Sequence, residues 1–209
     1  MVLAPRDPRL WPPGGRSAAL EATGSKDVIN MRALVVYESM YGNTHAVASN
    51  IADGLRATYE VTLVPVAAAT ADLIAEADLL VVGAPTHMHG LSTASSRQLA
   101  RKAAAKPESG LTLDLDASGP ALRDWLSGLA RGHVLAAAFD TRLAGVPAFT
   151  GRASRGISRL LRRHGYRLIA APESFVVTKL STLADGESSR ARRWGEALAA
   201  TAVLTAPTT

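Results

Sequence analysis

The 209 residues contain no cysteine, which excludes a disulfide framework, a thiolate metal site and a cysteine-held iron–sulfur cluster. Any redox chemistry must then come from a bound organic cofactor. No apolar run approaches the roughly eighteen residues of a membrane-spanning helix. A secretory signal would need a continuous apolar core after a basic start, and Leu10-Trp11-Pro12-Pro13 interrupts any such run, so a cytoplasmic location is expected. No nucleophile–base pair or acid pair argues for a hydrolase. Lysine is scarce, four against nineteen arginines, a bias that fits GC-rich bacterial coding.

What remains is ordinary for one globular domain: 47% hydrophobic and 20% charged residues. Residues 1–30 carry Pro5, Pro8, Pro12, Pro13, Gly14, Gly15 and Gly24 with no hydrophobic period, and read as a disordered extension. Met31 stands directly before the first strand, so this extension fits an optional leader or a misplaced start, with a docking segment anchored by Trp11 as the alternative. The domain is expected over residues 31–204 and a flexible tail over 205–209.

The informative stretch is Val35 to Thr44. Arg32 to Tyr37 is a short apolar, β-branched run suited to a strand buried on both faces. After it, Val47, Ile51 and Leu55 recur at helical spacing. The turn between them, Ser39, Met40, Tyr41, Gly42, Asn43 and Thr44, offers hydroxyls, an amide and the orphan N–H groups of a helix start, which suit an anion held by neutral donors. Neither G-x-x-x-x-G-K-[ST] nor G-x-G-x-x-G follows this strand, so a monophosphate is expected rather than a nucleoside triphosphate or a dinucleotide. An ordinary strand-to-helix turn is the plain alternative.

Further strands are expected at Tyr59–Val66, Asp78–Gly83, His133–Phe139 and Pro172–Thr178. Helices are expected over 95–106, 120–129, 151–167 and 187–204, and a short helix or turn over 71–77. Alternation of this kind means parallel βαβ units with a ligand outside the carboxyl ends of the strands. Residues 107–119 read as a loop or small irregular insertion, with Asp114 and Asp116 as solvated turn carboxylates rather than a cation site. His87 and His89, two apart, suggest a metal pair only weakly, because no third ligand lies nearby at ligand spacing. Loop histidines at a ligand mouth, titrating near neutral pH, are the preferred reading.

The form Ser39-Met-Tyr-Gly-Asn-Thr44 after a first strand resembles the flavodoxin-like family, most of all flavodiiron flavodoxin modules and WrbA-type quinone reductases. The resemblance covers about residues 31–204. It implies a five-stranded, doubly wound parallel sheet of order 2-1-3-4-5 that binds FMN, with a deazaflavin or another phosphorylated flavin analogue left open. It assigns Ser39 to Thr44 to the phosphate. It sets Pro85, Thr86, His87, Met88, His89 and Gly90 along the isoalloxazine, and Phe139, Asp140, Thr141 and Arg142 at its pyrimidine side. The stacking Trp or Tyr of many flavodoxins is absent, and so is the Gly-rich, Tyr-containing form of the last loop. Arg142 would stabilise an anionic reduced flavin.

Three functions follow: an electron carrier between protein partners, an NAD(P)H:quinone reductase of WrbA type, or a flavin-free binding module on the same fold. Residues 151–167 hold six arginines and no acid, more than the whole chain's net charge of +5. That segment is either a solvated helix face or a dock for an acidic partner. Nucleic acid is disfavoured because no recognisable binding motif accompanies the arginines.

Overall fold

The computed structural model describes residues 31–145 and 151–205. The expectations for residues 1–30 and for the last four residues of the tail lie outside the described residues. Six strands, β1 (Arg32–Tyr37), β2 (Glu60–Pro65), β3 (Leu79–Pro85), β4 (Leu135–Leu143), β5 (Arg167–Leu168) and β6 (Glu173–Val177), form one parallel sheet. Its order is β2-β1-β3-β4, with β5 and β6 both on the outer side of β4. The expected fifth strand, Pro172–Thr178, is β6, and the two-residue β5 falls at the end of the stretch expected as helix, 151–167. β5 pairs with the start of β4 and β6 with its end, and Pro172, which lacks a backbone donor, lies in the gap.

The helices are α1 (Asn43–Leu55), α2 (Ala71–Ala75), α3 (Ala94–Ala104), α4 (Leu122–Ser127), α5 (Ala153–Arg163) and α6 (Glu187–Thr205). Strand alternation sorts the core into two layers. Ala33, Val35, Leu79, Val81, Ala137 and Phe139 face α1 and α6, whereas Leu34, Val36, Leu80, Val82, Ala136 and Ala138 face α4 and α5. The first layer is held close by glycines. A Cβ on Gly54 would lie 2.2 Å from the Arg192 carbonyl oxygen, and one on Gly195 would lie 2.3 Å from that of Ile51, so α1 and α6 meet backbone to backbone. In the sheet, a Cβ on Gly83 would strike the Phe139 ring at 2.0 Å. Gly83 thus leaves room for that ring, which packs edge-on against Phe175 and Trp194.

Residues 139–142, expected as a loop, belong to β4. The strand continues because Phe139, Asp140 and Thr141 pair with Gly83, Ala84 and Pro85 on one side, while β6 pairs with residues 139–143 on the other. Among the described residues, no helix is long and apolar enough to cross a membrane.

Candidate functional site

Strands β1, β3 and β4 end at the same edge of the sheet, and a cavity of about 420 Å³ opens there. Its wall includes Met40, Tyr41, Asn43 and Thr44 from the turn after β1, Pro85 to Met88 from the end of β3, and Thr141 and Arg142 from β4. This volume lies within the range of small-ligand sites, and its lining is mostly apolar with a few polar groups.

The turn after β1 is built to present backbone donors. Ser39 is buried and its Oγ accepts from Gly42 N at 3.1 Å. Gly42 takes φ 86°, the left-handed region that glycine enters without steric cost, and α1 starts at the next residue. No side chain caps the start of α1, so its orphan N–H groups are available to a ligand. Thr44 Oγ1 and Thr141 Oγ1 lie 2.8 Å apart; only one of them donates in that bond, which leaves the other hydroxyl hydrogen for a third acceptor. Asn43 Nδ2 donates to the Ser181 carbonyl. An uncapped helix start, a left-handed glycine and neutral donors in the wall of an apolar cavity fit a phosphorylated ring compound such as FMN.

One ion pair that the sequence reading missed ties the turns together. Glu38 is 4% exposed, and its carboxylate accepts from Ser92 Oγ at 2.6 and 2.9 Å and from Leu122 N at 2.8 Å. Arg97, also 4% exposed, stands 3.8 Å away and donates to the Ala117 and Gly119 carbonyls. A buried charge that lies so close to an opposite charge and is otherwise hydrogen-bonded is the tolerated form of burial. α3 thereby turns Arg97 inward and Leu99 outward into the cavity, an inversion of ordinary amphipathicity. That inverted pattern is the signal that could have found Leu99, Ala100 and Ala103. Leu143 and Val177 also line the cavity and gave no comparable signal.

The turn after β3 is a two-residue hairpin. His87 N donates to the Gly90 carbonyl at 2.8 Å and Gly90 N to the His87 carbonyl at 3.0 Å, with Met88 at φ 44° and His89 at φ 79° between them. Left-handed backbone at two successive non-glycine residues stores strain. Burial pushes His87 below the ordinary imidazole range, with Arg97 adding to the effect and Glu38 opposing it. A neutral His87 ring at pH 7 follows.

Six of the expected residues do not line this cavity. Ser39 and Gly42 shape the turn beneath it. His89 and Gly90 face a separate groove shared with Arg123, Arg152 and Arg155. Phe139 is fully buried in the α1/α6 layer. Asp140 is fully buried under the start of α5, where Oδ2 accepts from Ser154 N at 2.8 Å. Burial raises its carboxyl above the usual range, against the opposing Ser154 and Ser174 contacts. Asp114, expected in solvent, has a side chain only 6% exposed, because the 107–119 segment folds back against the turn after β1 and Asp114 N donates to the Met40 carbonyl.

Residues 35–131 match the Flavodoxin family model. A search of curated protein sequences finds no match. Among solved structures, a flavodoxin from the domain Archaea aligns with TM-score 0.57 at 18% identity over 83% of this chain and 99% of its own. Flavodoxin 1 from Bacillus cereus gives 0.56 at 18% over 84% and 99%. A flavodoxin, WrbA-like protein from Agrobacterium tumefaciens gives 0.53 at 24% over 84% and 99%. At these identities the structures establish a shared fold, and by them and by the family model over residues 35–131 the chain is similar to the flavodoxin-like family.

Proposed function

We propose that this protein binds FMN in the cavity at the ends of β1, β3 and β4 and carries electrons between protein partners. The observation that carries the reading is the uncapped start of α1 at left-handed Gly42, opening onto an apolar cavity of about 420 Å³. Bound FMN supplies the redox chemistry. The chain's own residues do the rest. The N–H groups after Gly42 and the Thr44–Thr141 hydroxyl pair bind phosphate and ribityl oxygens, and Met88, Leu99 and Val177 keep water from the ring. Arg142 places a positive charge in the wall, held by donation from Nη1 to the Leu143 and Gly145 carbonyls. With His87 neutral, that charge is the chief means of stabilising added negative charge in the cavity. R142A is expected to lower the two-electron potential by about 30 mV, the equivalent of about 1.4 kcal/mol, measured by anaerobic dye equilibration.

Met88, Leu99 and Leu143 are 78%, 58% and 55% exposed at the rim. Such a clustered apolar rim suits a transient docking face. Beside it, Arg155, Arg159, Arg162 and Arg163 of α5 make no ion pair among the described residues and border adjoining grooves, a charge arrangement complementary to an acidic partner.

The same apolar rim also favours a second reading, a quinone reductase of WrbA type that takes electrons from NAD(P)H. The experiment is the visible spectrum of the purified protein with and without FMN, followed by stepwise anaerobic reduction. Reduction in two separate one-electron steps supports the carrier. Direct two-electron reduction by NAD(P)H, with quinone turnover, supports the enzyme. Failure to bind FMN overturns both and leaves a flavin-free binding module.

A further inference from the structure

Beside the turn after β1, three potential ligands from distant parts of the sequence converge. His45 is the third residue of α1, and Asp114 and Asp116 belong to the segment between α3 and α4. One ligand atom from each lies within 4.8 Å of the other two. His45 Nδ1 and Asp114 Oδ2 are 3.7 Å apart.

Asp114 distinguishes this group from an ordinary acidic cluster. Its side chain is 94% buried, and Oδ2 has no hydrogen-bond partner, while Oδ1 accepts from Asp116 N at 3.2 Å. A buried carboxylate oxygen without a hydrogen bond is costly, and this one stands 3.7 Å from His45 Nδ1, on the imidazole side of the cluster. The ligands are also braced from behind. Tyr37 OH donates to Asp116 Oδ2 at 2.9 Å, and its ring stacks on His45 with centroids 4.6 Å apart and planes 14° from parallel. Outer-shell hydrogen bonds of this kind fix ligand orientation in metal sites. His45 is 43% exposed, which leaves an open side for an ion and its water.

We propose that His45, Asp114 and Asp116 form a binding site for a divalent transition-metal ion of the zinc class, with three protein ligands and a solvent position. One imidazole nitrogen and two carboxylates, without sulfur, suit Zn²⁺, whereas Mg²⁺ and Ca²⁺ favour all-oxygen shells. Bonds of about 2.1 Å in a tetrahedral shell put ligand atoms about 3.4 Å apart. The His45–Asp114 separation needs to close by only a few tenths of an ångström, and Asp116 moves further.

The ion would cross-link the start of α1 to the 107–119 segment. It would also neutralise Asp114, whose Oδ2 lies 4.0 Å from where a Cβ on Gly42 would stand. A carboxylate there repels an anion at the Gly42 turn, and a bound cation reverses that sign. This coupling to phosphate rests on the proposed flavin site; the metal site does not.

The test is calorimetric titration of the metal-free full-length protein with Zn²⁺, together with visible absorption on adding Co²⁺. One ion per chain is expected to bind and raise the unfolding midpoint. D114N and H45A should each weaken binding about tenfold or more, since even outer-shell losses cost this much, while H164A leaves it unchanged. D114N removes an uncompensated buried charge, so it is expected to fold and to remain informative if H45A does not. No saturable binding at about 1 mM Zn²⁺, a free energy near −4 kcal/mol, overturns the site. So does binding unaffected by D114N. FMN titrations with and without Zn²⁺ report the coupling separately: tighter FMN binding with Zn²⁺ supports it and unchanged affinity removes it, while a protein that binds Zn²⁺ but no FMN keeps this site and loses the flavin reading.

Discussion

Two turns face the same cavity, and each needs left-handed backbone, but they obtain it differently. The turn after β1 places glycine at the left-handed position, Gly42 at φ 86°. The turn after β3 places Met88 and His89 there, at φ 44° and 79°, where Asn-Gly would be the relaxed choice. The first is a relaxed cradle whose geometry follows from its own residues. The second is held from outside, by the paired His87–Gly90 hydrogen bonds, by the bridge between His89 and Gly151, and by Thr86 Oγ1 accepting from Ala153 N at 3.0 Å. Gly151 is part of that restraint, since a Cβ there would lie 2.1 Å from His89 Cα. Strain kept in place by surrounding structure is characteristic of binding loops. The cradle is therefore the part set for one ligand group, and the β3 turn is the part able to change.

The largest effect is expected where both turns share one anchor. E38A removes the carboxylate that accepts from Ser92 and Leu122 and leaves Arg97 buried without its counter-charge. Loss of one partner from a buried pair costs about 3–5 kcal/mol, to be read as a lower midpoint in urea unfolding. Both turns should loosen together, so FMN affinity should fall beyond what a change at either turn alone produces. A loss below about 1 kcal/mol would place Glu38 among surface pairs and separate the two turns.

The comparison itself is sharpened by exchanging residue types. G42A puts a Cβ into left-handed backbone at a place where the nearest atom is 4.0 Å away, so the cost is conformational and about 1–2 kcal/mol. The double change M88N with H89G supplies the residues that a two-residue hairpin prefers and is expected to stabilise the fold by about 1 kcal/mol. Thermal unfolding of the two variants should move in opposite directions. If both lower the midpoint, the β3 turn is not strained.

The same contrast explains what could be read from the sequence. The cradle was legible because its determinants are local: an apolar strand, a glycine and a helix period within about twenty residues. The core layers were legible for the same reason, through alternation in β1 and β3 and the Val47, Ile51 and Leu55 stripe. Glu38 and Arg97 were not, because each reads as an exposed charge until the fold brings residues 59 positions apart together. Strand β4 runs past Phe139 because β3 and β6 pair with it on either side, and Asp114 is buried only because its segment returns to the turn after β1. Leu99 was hidden by an inversion that exists to turn Arg97 inward.

The smallest effect concerns charge in the β3 turn. His87 is held neutral chiefly by burial, its pKa lying below the ordinary value near 6.5. Its folded form therefore binds a proton less readily than its unfolded form. Its contribution to stability is fully present above about pH 6.5 and is lost as pH falls from there through the lowered folded value. Asp140 acts with the opposite sign, since burial raises its pKa and folding gains as that carboxyl is protonated. The two are separable by substitution. H87N should flatten the decline in the unfolding midpoint just below pH 6.5 and leave the more acidic region alone. D140N should remove the slope of the acidic region and raise the midpoint at neutral pH, because an amide at 140 carries no charge to bury and can still accept from Ser154 N. A wild-type midpoint that stays level from pH 7 to pH 5.5, matching H87N throughout, would mean that His87 reaches solvent in the free protein. The β3 turn would then be open before any ligand arrives, and its strain would be released in the free protein rather than held for binding.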